Sequence, residues 1–231
     1  MRGKIIVVEG TDCSGKETQT SLLVQRLRKE GRRVERLSFP MYETPTGKII
    51  GGCYLGKPHI GEGYFPEGAT NVDPKVAALY YAADRRYNSP IIEDLLSNGY
   101  DVILDRYVES NMAHQGGKIF DKDERLKLYD WLYTLEYGLM ELPKPEITIF
   151  LHMPCEKAVE LRKGRAEAPD QHESSLLHLR NAEQAYLELA NLHNYYTIEC
   201  LDKNGKLRDI EDIQEDVYNE VCKVLKIEHK D

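Results

Sequence analysis

Five short runs of β-branched and apolar residues punctuate the chain, at 4–8, 33–39, 101–105, 146–151 and 195–200, and each has the length of a strand. Between them the apolar positions recur at intervals of three and four. Leu23, Val24 and Leu27 share one face of a segment that begins at Lys16 and stops at Gly31, a residue suited to ending a helix. The stretch 73–98 opens on Asp73-Pro74, an N-cap followed by a first-turn proline, and Pro90 is expected to kink or divide it. Further apolar faces come from Leu126, Tyr129, Leu132 and Tyr133, from Leu176, Leu179, Tyr186 and Leu189, and from Ile213, Val217, Val221 and Val224. Strands alternating with such helices predict an α/β fold: a parallel sheet of about five strands, covered on both faces by the crossover helices that parallel strands require. Residues 47–68 interrupt the alternation. They are glycine-rich, contain Pro58 and Pro66, and read as a loop excursion beside the site, with at most a short helix near 48–54.

Composition narrows the setting. With 231 residues, no internal repeat and no linker, the chain is expected to form one domain over 1–231. The 31 Lys+Arg against 39 Asp+Glu give a formal net charge of -8, which opposes a sequence-independent grip on nucleic acid. No nucleic-acid partner is expected, and a phosphate site must be a local basic cluster. No segment approaches membrane-spanning length, and the apolar start ends at Glu9, too early for a signal sequence. Cysteines 13, 53, 155, 200 and 222 form no C-x-x-C pair. They read as reduced thiols in a cytoplasmic protein with no membrane partner.

The candidate chemistry follows the first strand. Gly10-Thr11-Asp12-Cys13-Ser14-Gly15-Lys16 has the spacing Gly-x-x-x-x-Gly-Lys, placed where a strand ends and a helix begins. Glycines let backbone N–H groups turn inward, the helix N-terminus adds positive potential, and the lysine reaches the β- and γ-phosphates of a nucleotide. The position after the lysine, normally a hydroxyl residue on Mg²⁺, is Glu17, with Thr18 one place later. Glu17 is expected to face solvent or to reach the metal through water. Asp105 ends the apolar strand Val102-Ile103-Leu104, where a carboxylate can order the water shell of Mg²⁺. Cys13, inside the loop, reads as a small spacer.

These residues and three later blocks resemble the thymidylate kinase family. The blocks are Glu9-Gly10-Thr11-Asp12 with Gly15-Lys16, Phe39-Pro40, Leu79-Tyr80-Tyr81-Ala82-Ala83-Asp84-Arg85, and Asp105-Arg106-Tyr107 with Ser110-Asn111. The similarity continues through Arg162-Lys163-Gly164-Arg165 and covers most of the chain. The resemblance implies a P-loop nucleotide-kinase fold with a mobile lid near 162–173, ATP and dTMP as substrates, Mg²⁺ with the ATP, and a homodimer. It implies that Arg85 grips the acceptor phosphate and that Arg106 bridges acceptor and transferring phosphoryl groups. Tyr81 falls where an aromatic ring stacks on thymine, and Asp12 where an aspartate lies near the sugar 3′-hydroxyl and the metal. Phe39, Tyr42, Ser110, Asn111 and His114 complete the implied acceptor site. Cys13 stands where some members carry an arginine, so Arg162 and Arg165 become the candidates for transition-state charge. Adenine is expected between the lid base and the loop 202–206. Rival readings are a kinase for another pyrimidine monophosphate or a deoxynucleoside, and a non-catalytic nucleotide-binding homologue.

Overall fold

The structure, a computed structural model, describes residues 2–162, 171–172 and 175–227. The five β-branched runs become β1 (Ile5–Gly10), β2 (Val34–Ser38), β3 (Asp101–Asp105), β4 (Ile147–His152) and β5 (Tyr196–Glu199). They form one sheet in the order β2-β3-β1-β4-β5, and every neighbouring pair is parallel. The crossovers supply α1 (Lys16–Lys29), α2 (Pro45–Lys48), α3 (Pro74–Ser97), α4 (Val108–Gly116), α5 (Lys122–Tyr133), α6 (Cys155–Arg162), α7 (Leu176–His193) and α8 (Ile210–Leu225).

Successive side chains of a strand point to opposite faces, so β1 feeds two cores. Ile6 and Val8 pack with Leu23, Val24 and Leu27 of α1 and with Val217 and Val221 of α8. Ile5 and Val7 face the other way, towards Ile92 and Leu96 of α3, Met112 of α4, Leu132 of α5 and Tyr186 of α7. Each large side chain so buried stabilises the fold by about 1.5–3 kcal/mol relative to exposure. Tyr133 and Leu176 are 40% and 42% exposed, contrary to the predicted faces, and Leu128 and Ala185 fill the core instead.

Pro90 does not divide its helix: α3 runs unbroken from Pro74 to Ser97. A proline withdraws the N–H that would bond the carbonyl four residues earlier. That carbonyl belongs to Arg86, and it accepts from Ser89 Oγ at 2.9 Å. The serine hydroxyl thus replaces the missing donor.

The excursion after β2 is better anchored than a free loop. A wide π-type turn at Ile49–Tyr54 continues α2, and Ile50, Tyr54, Leu55, Ala69 and Val72 cluster against Ala77 of α3. Lys118 donates to Tyr54 Oη at 3.1 Å, Ala69 O at 2.9 Å and Val72 O at 3.1 Å. Three acceptors around one ammonium hold the excursion to the end of α4. None of the five cysteines is joined in a disulfide. Among the described residues no helix is long and apolar enough to cross a membrane.

Candidate active site

The register Val8↔Asp105 sets the carboxyl ends of β1 and β3 side by side. The chain leaves β1 for a helix on one face and β3 for a helix on the other, which opens a crevice at the place where α/β sheets bind ligands. Backbone geometry explains the loop's glycines. A Cβ on Gly10 would lie 2.5 Å from Ser14 Oγ and 2.7 Å from Leu151 O, and Gly15 caps α1 at φ 84°. Lys16 is buried, with Nζ donating to Thr11 O at 2.8 Å. Burial, and then the charge of Arg106, push its pKa down to about 8. Among the described residues the buried Ser14 Oγ finds no hydrogen-bond partner. Glu17 and Thr18 are exposed at the cavity edge.

Asp105 lines the same cavity and accepts from Arg36 Nη2 at 2.7 Å through Oδ2. Arg36 Nε also donates to Thr20 Oγ1 at 2.7 Å, and that hydroxyl donates to Lys16 O at 2.8 Å. Arg36 therefore ties the Asp105 carboxyl to the first turn of α1. Sequence reading passed over it, because its alternation in β2 is that of any solvent-facing strand residue.

Arg106 follows β3 at φ 66°, a left-handed conformation costly for a side-chain-bearing residue. Its guanidinium pairs with Asp12 Oδ1 and donates to Gly10 O at 3.3 Å, Ser110 Oγ at 3.2 Å and Tyr186 Oη at 3.2 Å. Burial opposes the ionisation of Asp12, but Arg106 and then Lys16 outweigh it and hold the carboxyl below its ordinary range. Asp12 Oδ1 is thus tied to Arg106 in this arrangement. Behind both lies Glu9, fully buried, which accepts from Tyr107 N at 2.8 Å, Ser110 N at 3.1 Å, Ser110 Oγ at 2.6 Å and Tyr186 Oη at 2.9 Å. Glu9 stands in the sequence only within a matched block and Tyr186 only on an apolar helix face, and nothing there marks them as the shared support of Arg106.

One cavity of about 320 Å³ connects this machinery with the acceptor residues. Asp12, Cys13, Gly15, Lys16, Glu17, Thr18, Asp105 and Arg106 line one side; Phe39, Tyr42, Tyr81, Arg85, Ser110, Asn111 and His114 line the other. Gly10, Thr11 and Ser14 form the loop without lining the cavity. Leu55 and Lys57 reach it from the excursion.

Arg85 lines the pocket and also meets an acid. Its guanidinium is 2% exposed, grips Glu136 with Nε and Nη2, and donates to Tyr107 O at 3.3 Å. Arg85 is thus a buried arginine that lines the pocket with Nε and Nη2 held by Glu136. Removing one member of such a pair leaves an uncompensated charge and costs about 3–5 kcal/mol. Asn111 Nδ2 joins the same group, donating to Glu136 Oε1 at 2.9 Å and Ala78 O at 3.1 Å. Among the described residues its buried Oδ1 has no partner, and neither has either amide atom of Gln115 beside it.

His114 lies 3.4 Å from Arg106 Nη1 through Nε2, and burial followed by that charge keeps its pKa well below the usual imidazole value. The loop 202–206 leaves β5 next to the phosphate loop: Cys200 Sγ donates to Ser14 O at 3.8 Å and Gln19 Nε2 to Ile210 O at 3.0 Å. Arg162 is the last residue of α6; its side chain and all of Arg165, with most of the expected lid, lie outside the described residues.

The thymidylate kinase family profile matches residues 8–212. The chain belongs to the thymidylate kinase family. A thymidylate kinase of Halothermothrix orenii is 31% identical over 229 residues, covering 96% of this chain and 97% of its own. The human thymidylate kinase is 34% identical over 159 residues, 69% of this chain and 65% of that one. A solved thymidylate kinase from Candida albicans superposes with a TM-score of 0.74 at 28% identity, covering 97% of this chain and 93% of that chain. The reaction of this family is ATP-dependent phosphoryl transfer.

Proposed function

We propose that the protein transfers the γ-phosphoryl group of ATP to dTMP, giving ADP and dTDP. The observation that carries this reading is one cavity joining Lys16 and Arg106 to buried amide atoms at the acceptor end that have no partner among the described residues. Asn111 uses Nδ2 on Ala78 and Glu136, so its Oδ1 is left to accept an N–H from a pyrimidine edge. The Gln115 amide offers one donor and one acceptor more. Tyr81, held edge-on by Tyr54, supplies an aromatic wall for the base.

The acceptor phosphate is already ionised and is itself the nucleophile, so no general base is needed. The protein's work is positioning and charge stabilisation. Lys16 meets the β- and γ-phosphates, and Arg106, fixed by Glu9, Ser110 and Tyr186 together, faces the transferring group. The family resemblance assigns Arg162 and Arg165 to the same charge. Asp105 fits Mg²⁺: only its Oδ2 is engaged among the described residues, and this ion is commonly held by one or two carboxylates, phosphate oxygens and water. When bound, Mg²⁺ neutralises charge on the β- and γ-oxygens.

A coupled ADP-release assay with Mg-ATP, run against a panel of nucleoside monophosphates and nucleosides, tests the reading. Turnover with dTMP well above every other acceptor is expected; turnover only with a nucleoside, or with another monophosphate alone, overturns it. We also propose a homodimer through α3. Val76, Leu79, Tyr87 and Ile91 are 41–57% exposed and fall within one face of that helix. Sedimentation should give twice the chain mass, and a purely monomeric species at assay concentrations rules the dimer out. Five cysteines outside any disulfide suit a reducing compartment such as the cytoplasm.

A further inference from the structure

Two groups of side chains among the described residues bring three possible metal-ligand atoms within 4.8 Å of one another. In the first, Cys155, Glu156 and Glu183, the ligands are already engaged. Glu183 accepts from Cys155 N at 2.9 Å and meets His152 Nε2 at 3.1 Å, and Glu156 accepts from Arg180 at 2.9 Å. The second group, His114, His172 and His178, is different in kind. Its imidazoles come from α4, from the segment 171–172 and from α7, and His172 and His178 are each 5% exposed.

His114 stacks on both other rings, with centroids 5.4 Å from His178 and 5.7 Å from His172, while His172 and His178 lie 4.3 Å apart and tilted by 37°. His114 Nδ1 and His178 Nε2 are 3.2 Å apart. A zinc–nitrogen bond of about 2.0–2.1 Å gives a tetrahedral N···N edge of roughly 3.3–3.4 Å, so this pair already stands near ligand spacing. Burial lowers the His172 pKa to about 3 and that of His178 to about 2, so both are neutral, the form that binds a metal. His172 Nε2 meets Tyr54 Oη at 3.0 Å, an orienting partner of the sort that ligating histidines keep. The local charges are mixed. Asp12 favours a cation beside all three rings; Arg106 opposes it at His114 and His172, and Lys118 at His172 and His178. Three borderline nitrogen donors select Zn²⁺ or a similar transition ion over the oxygen-seeking Mg²⁺.

We propose that His114, His172 and His178 form a zinc site, separate from the nucleotide's magnesium, whose occupation inhibits phosphoryl transfer. Coordination at His114 Nδ1 moves that neutral ring's proton to Nε2, with no net proton gained or lost. Nε2–H then confronts Arg106 Nη1, itself a donor, and the two must part. The metal also fastens the segment 171–172 to α4 and α7 at the edge of the acceptor cavity, which His114 and His172 both line.

The test uses the full chain after chelator treatment, with Co²⁺ as a spectroscopic probe. One equivalent should produce the visible bands of tetrahedral cobalt, and Zn²⁺ should abolish them by displacement. His178→Gln and His172→Gln should each weaken binding about 100-fold, the upper range for losing support of a metal site. Stoichiometric Zn²⁺ should inhibit the wild type under saturating Mg-ATP and leave His178→Gln unaffected. Octahedral or absent cobalt bands overturn the proposal, as does equal affinity in the variants. Should His178→Gln fail to fold by circular dichroism, His172→Gln carries the binding comparison alone.

Discussion

Arg106→Ala is expected to lower kcat for phosphoryl transfer to dTMP by about 10³-fold or more, the range lost when a transition-state arginine is removed. The size follows from its position. Its guanidinium is directed at once by Asp12, Gly10, Ser110 and Tyr186, so it stands preorganised where charge develops and needs no reorganisation during transfer. Alanine inherits the same left-handed backbone that arginine tolerates at φ 66°, so the change removes the side chain without new backbone strain. Arg106→Lys should restore little, because a single ammonium cannot span acceptors arranged around a planar fork. Rates under saturating ATP and dTMP, with thermal unfolding as a control for folding, decide the matter. A kcat within tenfold of wild type in a folded Arg106→Ala protein would remove this residue from the transition state.

Lys16→Ala should cost about 10²–10³-fold in kcat, the effect of losing one preorganised donor to developing charge. Its protonation adds a second signature. Free of nucleotide, Lys16 has a pKa of about 8 against an ordinary 10.5, because burial and Arg106 disfavour its charge. Bound phosphates reverse that balance and raise the pKa. ATP binding therefore takes up a proton above pH 8, and affinity falls about tenfold for each further pH unit until the bound form also deprotonates. Calorimetry should show ATP bound about tenfold more weakly at pH 9 than at pH 7, with proton uptake in buffers of different ionisation enthalpy. Lys16→Ala should lose that slope. A slope that persists in the variant assigns the proton elsewhere.

Local chemistry made much of the molecule legible before its structure. The strands announce themselves through β-branched runs such as Ile5-Ile6-Val7-Val8, and the phosphate loop through glycines whose positions backbone geometry demands. What stayed hidden depends on partners far along the chain. Glu136, 51 residues after Arg85, is invisible in the sequence as its partner. An acid at 136, beside Leu135 and Tyr137 and following an apolar helix face, was the available signal. Pro90 misleads, since one neighbouring serine hydroxyl restores the bond that proline removes. The three histidines lie at 114, 172 and 178, too far apart and too irregular to form a spacing motif, and only the packing of α4 against α7 brings two of them together.

Glu9 carries a consequence for how such an enzyme can change over generations. It sits on the strand that leads into the phosphate loop, yet its bonds run to Tyr107 and Ser110 at the start of α4 and to Tyr186 of α7. A substitution there disturbs donor and acceptor halves together, so new acceptor preferences have little room to arise at this hub. The excursion offers a freer route. It reaches the cavity only through side chains such as Leu55 and Lys57, and its own small core and Lys118 secure it independently of the phosphate loop. Variation among relatives that alters the acceptor while preserving transfer should therefore accumulate there.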